Sequence, residues 1–359
     1  MRTLPIILLL LSGALTAGET SWPLWDGQET VEQYARRAKL PATETLDLGN
    51  DVKLELVLIP AGQFVMGTPE PQEPGETAVV GQAILYSGAG VALAFVLLIS
   101  IRAIVKRERP KFSLRWLIAL TFAAGVAVYG GVRWHKNNAA WRNYETARTR
   151  YADAYEDEKQ GHVVTLTKPF YMGKFVITQQ QYQQLTGENP SDNEGKDNPV
   201  ENLVWNDAQK FCKKLTQQSK RNVRLPTEAE WEYACRAGST SAYYSGETPA
   251  DLDRVAWYGK NSGKTTHPVG QKAPNFFGLF DMHGNVLQFC QDWYKESYYR
   301  EAPSEDPRGP DSGKGHVMRG GSYDDNDDGC RARAREEVDP GSSNGDMGFR
   351  VVVELSSTP

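Results

Sequence analysis

The sequence predicts an α+β domain with little regular secondary structure, interrupted by a two-helix transmembrane hairpin. Three observations carry that expectation. Short β-type runs stand on both sides of a central segment. Two long uncharged runs occupy that segment. Beyond Gly238, Gly, Pro, Asn and Ser recur every few residues as far as Asp346, which leaves much irregular chain whose backbone groups need partners. The chain has 359 residues and a net charge of −5 spread over both signs, so no electrostatic case exists for nucleic-acid binding. Four cysteines are too few to define a disulfide scaffold.

Residues 1–18 read as a secretory signal: Arg2, an apolar run from Ile6 to Leu11, then the small-residue exit Ala14-Leu15-Thr16-Ala17-Gly18. The chain is expected to be exported to a periplasmic or extracellular space, where disulfides persist. A linker with a short helix follows over 19–45. Leu54–Pro60 and Gln63–Gly67 then read as two strands around a turn. From Ala78 to Ile101, and again from Trp116 to Val132, no residue is charged. Between them lie Arg102, Lys106, Arg107, Arg109, Lys111 and Arg115 against Glu108. A bilayer core takes ~20 apolar residues per helix, and a short basic connector stays cytoplasmic, so 78–132 is the expected hairpin. Over 133–160, Trp141, Tyr144, Tyr151 and Tyr155 recur at helical spacing, a juxtamembrane helix.

Strand character resumes at His162–Thr167 and Phe170–Ile177, so the globular domain is expected to be discontinuous, 46–77 and 161–356. Helices are expected from Thr178, from Asn206 through Ser219, and from Thr227 to Arg236, the last opened by a capping box of Thr227 with Glu230. Val317–Arg319 and Phe349–Val353 are short strand candidates.

Seven blocks then appear in order: LVLIPAGQFVMG (56–67), PFYMGKFVITQQQY (169–182), NPVENLVWNDAQKFC (198–212), RLPTEAEWEYACRAG (224–238), HPVGQKAPNFFGLFDMHGNVLQFCQDWY (267–294), VMRGGSY (317–323) and GFRV (348–351). Together they resemble the formylglycine-generating enzyme family, also called the sulfatase-modifying factor family. The resemblance implies a C-type-lectin-like fold. Its catalytic members use molecular oxygen and copper, held by two cysteines after the RGGSY block, to oxidise a sulfatase cysteine to formylglycine. Laid onto this chain, the second cysteine falls on Cys330 and the first on Asp325. Ser322, Arg319, Gly320 and Gly321 match. Paired thiolates suit Cu(I), whereas a carboxylate is a hard ligand and forms no redox disulfide. The family's Gly-Asn-x-Trp-Glu-Trp block appears as Gly284 to Phe289, so calcium held there would involve Asn285 and Gln288, a neutral and weaker donor than glutamate. Asp346 stands where the family has an Asn.

In the family fold, Cys212 lies beside Cys235 and Cys290 beside Cys330, which makes these the candidate disulfides; buried free thiols are the alternative. The stretch Asp324-x-Asn326-x-Asp328-Gly329 imitates the opening of an EF-hand, but position 12 is Arg335 rather than a bidentate acid. His162, His267, His283 and His316 show no metal-ligand spacing. Two functions stay open: a non-catalytic binding module for a protein or glycan at the cell envelope, and a formylglycine-generating oxidase acting on a sulfatase, with Cys330 and Ser322 as its reactive residues.

Overall fold

In the computed structural model the described residues are 22–68, 144–145, 148–149, 158–159 and 161–355. They build a mixed α/β architecture of three sheets and a few short helices. The chain divides into two units, residues 1–66 with 162–359 and residues 67–161. In the second unit the described residues include a bridge between Thr68 and Lys159 and helical residues at 144–145 and 148–149.

In the first unit, α1 (Val31–Ala38) is opened by a capping box of Thr30 with Gln33. Strand β1 (Thr43–Gly49) turns directly into β2 (Val52–Ile59), with which it pairs antiparallel. Along β2, Lys53 and Glu55 face out while Val52, Leu54 and Leu56 are buried, the period-2 pattern of a half-buried strand. Strands β3 (Gly62–Met66) and β4 (His162–Leu166) form a separate antiparallel pair. Strand β5 (Phe170–Gly173), the two-residue β6 (Val223–Arg224) and β11 (Val352–Glu354) complete a five-stranded sheet of order β1-β2-β5-β11-β6. Against it pack α2 (Gln179–Thr186) and α3 (Trp205–Ser219), where Tyr182 stacks on Phe211 and Phe349 meets Phe211 edge-on.

The four-stranded sheet carries the candidate site. Its order is β10-β7-β8-β9, with β7 Leu287–Trp293, β8 His316–Arg319, β9 Arg335–Val338 and β10 Met347–Gly348. Helix α4 (Glu228–Arg236) packs on β3, β7 and β8, and its residues are all buried. The predicted capping box is present: Thr227 Oγ1 accepts from Glu230 N while Glu230 Oε2 accepts from Thr227 N. A four-residue helix, α5 (Pro249–Leu252), follows.

One expectation is corrected. The fold class is a mixed α/β domain, and the two-helix transmembrane hairpin is not retained. Among the described residues no helix is long and apolar enough to cross a membrane. The hairpin span itself, 78–132, lies outside the described residues, as does the leader 1–18. An uncharged run satisfies the length requirement for spanning, but apolarity alone does not say what buries it. Two further differences are local. Of the C-terminal candidate 349–353 only Val352 and Val353 are strand, in β11, while β10 lies ahead of it at Met347–Gly348; β1, β7 and β9 arise where no strand was expected.

Candidate functional site

The site begins where β8 ends. Gly320 and Gly321 both take left-handed φ values, +100° and +68°, and reverse the chain. A Cβ on Gly321 would lie 2.7 Å from Cys330 Sγ, so only glycine lets the thiol seat here. Ser322 is fully buried. Its N (2.7 Å) and Oγ (2.8 Å) both donate to Asp325 Oδ2, and the Asp325 carbonyl accepts from Gly259 N at 2.8 Å. Asn326 Oδ1 accepts from Gly329 N, and Tyr243 Oη donates to the Asp327 carbonyl. The acidic loop is thus held by local side-chain acceptors of the kind Asp and Asn supply in turns.

Cys330 closes the loop and is fully buried among Tyr243, Leu252, Val255, Ala256 and Tyr258. Burial first, then the carboxylates of Asp325, Asp327 and Glu336, push its thiol well above the usual value. His283 anchors the same turn: its Nδ1 lies 2.7 Å from the Cys330 carbonyl and its Nε2 accepts from Tyr244 N at 3.2 Å. These partners assign the proton to Nδ1. Burial lowers the imidazole pKa to about 3, so it is neutral.

Around Ser322 the surroundings are acidic. Asp346, just ahead of β10, has Oδ2 3.5 Å from Ser322 Oγ, while its Oδ1 is buried without a hydrogen-bond donor. Burial, then Asp325, raises the Asp346 pKa. Glu336 on β9 keeps an exposed outer surface, yet burial of its carboxyl and then Asp325 and Asp346 push it up to about 7. Glu201 is fully buried; its Oε1 accepts from Asn193 N and Nδ2, and its Oε2 has no donor.

Beneath this surface lies a buried ionic network. Arg319 pairs with Glu232 and donates to the Ala334 carbonyl. Arg335 pairs with Glu228 through Nε (2.6 Å) and Nη2 (2.9 Å), and Arg236 pairs with Glu232.

The family model described as sulfatase-modifying factor enzyme 1-like domain matches residues 123–355. The chain belongs to this family. It is 40% identical over 184 residues to a formylglycine-generating enzyme of Streptomyces coelicolor, covering 47% of this chain and 57% of that protein. It is 28% identical over 259 residues to the chaperone protein LppX of Paenibacillus barcinonensis, covering 58% and 85%. The chain spans about half the length of the formylglycine-generating enzymes it matches, 57% of the Streptomyces protein and 44% of the mouse one. Among solved structures, Treponema denticola variable protein 1 superposes with a TM-score of 0.61 at 24% identity, covering 88% of this chain and all of the other. PvdO from Pseudomonas aeruginosa does so with 0.58 at 23%, covering 89% and all of the other. These two likenesses concern the fold.

The residues of this family member do not fit copper. The family pattern needs two thiolates, and here one position is Asp325, engaged by Ser322, while Cys330 is a buried, protonated thiol. Neither candidate disulfide forms: Cys212, Cys235, Cys290 and Cys330 are all free and buried. Burial pushes the Cys212 and Cys235 thiols up to about 12. Cys235 Sγ approaches His283 Nε2 at 3.7 Å instead of Cys212.

The calcium candidates are committed elsewhere as well. Asn285, at φ +64°, accepts from His267 N and donates to its carbonyl. Gln288 Oε1 accepts from Trp231 Nε1 and Arg350 Nε, and its Nε2 donates to the Asp281 carbonyl. Both amides therefore serve as internal ties. Among the described residues no group of three or more His, Cys, Asp and Glu is arranged to hold a metal ion.

Of the residues that the family resemblance singled out in this segment, the structure places Asp325 and Asp346 at Ser322 and Cys330 at the close of the same turn. It missed Glu201, Glu336 and His283. Glu201 stands inside the quoted block 198–212 and His283 inside 267–294, but carboxylates and rings this far apart in sequence carry no spacing signature.

Proposed function

We propose that this chain is a non-catalytic binding module of the sulfatase-modifying factor family, exported by its N-terminal leader and engaging a protein partner over the surface around Ser322, Asp325 and Asp346. The observation that carries this reading is the Ser322–Asp325 turn. A carboxylate fills the place of the family's first copper cysteine and is tied to Ser322 by two hydrogen bonds. The remaining thiol, Cys330, is buried and protonated, so it is neither a soft metal ligand nor a nucleophile. The protein partner is supported by relatives named as a formylglycine-generating enzyme and a chaperone protein.

The second reading, formylglycine generation, is favoured by the 40% identity with the Streptomyces enzyme. The two are separated by incubating the purified protein with Cu(I), oxygen and a Cys-x-Pro-x-Arg peptide, and following the peptide mass. No formylglycine is expected. Formylglycine that appears with the wild type and vanishes with Cys330→Ser would establish the enzymatic reading instead.

A further inference from the structure

A layered stack of three rings stands on the four-stranded sheet. Trp205, at the start of α3, and Trp293, at the end of β7, lie nearly parallel to the His316 ring on β8. Their centroids are 3.7 Å and 3.9 Å from it, with interplanar angles of 4° and 21°. His316 is therefore the middle layer, and Trp205 is fixed by the bond from its Nε1 to the Cys290 carbonyl at 2.8 Å. The stack walls a cavity of about 550 Å³, completed by Gln209, Gln291 and Arg308. That volume is of the size that takes small molecules. The cavity shares no lining residue with the surface around Ser322.

Its polar groups are open. His316 is 2% exposed. Its Nδ1 lies 3.2 Å from the Gln291 and Asp292 carbonyls, which can only accept, so Nδ1 carries the proton. Nε2 is then an acceptor, and among the described residues nothing donates to it. Burial lowers the imidazole pKa, which keeps the ring neutral. The carboxamides of Gln209 and Gln291 and the guanidinium of Arg308 likewise make no hydrogen bond or ion pair among the described residues. Glu354, whose carboxyl senses Arg308, is already held by Arg224 and Asn222.

We propose that this cavity binds an acidic sugar, a hexuronate unit of a glycan. Its lining holds one cation and no carboxylate, which favours an anion over a cation. A carboxylate accepts the paired N–H groups of Arg308. Hydroxyl groups both donate and accept, so they satisfy His316 Nε2, which needs a donor, and the two carboxamides, which offer both. The C–H groups of a pyranose ring cover the aromatic wall, as apolar parts of a ligand do in such sites. A simple carboxylate such as acetate supplies no donor for Nε2 and leaves that wall uncovered. The site goes beyond the reading of the Ser322 surface and stands whether or not that surface is catalytic.

Ligand-observed NMR titration of the full-length protein with the methyl glycoside of glucuronic acid tests this. Saturable binding is expected, tighter than that of the uncharged methyl glycoside of glucose by about tenfold or more. Arg308 is exposed, so Arg308→Ala should leave the melting curve unchanged and remove most of that difference. With isotope-labelled histidine, the Nε2 resonance of His316 should shift on adding the glucuronide and stay in place with sodium acetate. No saturable binding overturns the proposal. So does equal affinity for the two glycosides, an undiminished preference in Arg308→Ala, an unmoved His316 resonance, or displacement of the glucuronide by an equal concentration of acetate. The copper and peptide assay reads the Ser322 surface alone, so failure of the sugar site and gain of catalysis are told apart.

Discussion

Cys330 and Gly321 show how tightly one thiol is placed. With Sγ 2.7 Å from a Cβ that glycine lacks, and φ at +68°, Gly321→Ala must both strain the backbone and displace the Cys330 turn. A loss of about 1–3 kcal/mol is expected, measurable as a lower denaturation midpoint. The cysteines give a second prediction at this scale. All four are free and buried, so the native protein should resist alkylation, whereas the denatured protein without reductant should yield four modified thiols by mass. Fewer than four would restore a disulfide. None of this burial was legible in the sequence, where a lone cysteine after an acidic turn reads equally as exposed or packed.

At the scale of elements, α4 joins the sheet to the site through charge. Glu228 and Glu232 take Arg335 and Arg319, which flank the loop that carries Ser322 and Cys330. Glu228→Ala leaves Arg335 and Arg319 buried with one fewer carboxylate and should cost about 3–5 kcal/mol, read as a large drop in Tm. Thr227→Ala removes only the cap of the same helix and should cost about 1 kcal/mol. The capping box was readable because its two partners sit three residues apart. The ionic network was not, since Glu228 and Arg335 lie 107 positions apart and meet only when β9 pairs with β8.

Across the whole molecule, buried His283 and partly exposed Glu336 set opposite pH responses. His283 is held near 3 against 6.5 when unfolded, so its neutral form favours the fold above pH 6.5, and that stability is lost as pH falls from 6.5 toward 3. Glu336 is raised to about 7 from 4.5, so its contribution is present below 4.5 and is lost as pH rises toward 7. Glu336→Gln should therefore stabilise the protein at pH 8 relative to wild type and make no difference at pH 4. The partly exposed surface of Glu336 makes this effect smaller than full burial would. Denaturation midpoints across that range check both arms, with a steeper acid loss as the mark of His283.

The sequence by itself determined the family, because seven blocks in fixed order are a one-dimensional signal. It also determined the strands around residue 60, the start of α2 at Thr178 and the cap of α4, since period and capping are local. The tertiary structure alone decided that Asp325 is tied to Ser322, that Asn285 and Gln288 are internal ties, and that the cysteines stay unpaired. Apart from the Ser322–Asp325 pair, three residues apart, those are matters of burial and of contacts between segments distant in the chain, which no local period or spacing encodes.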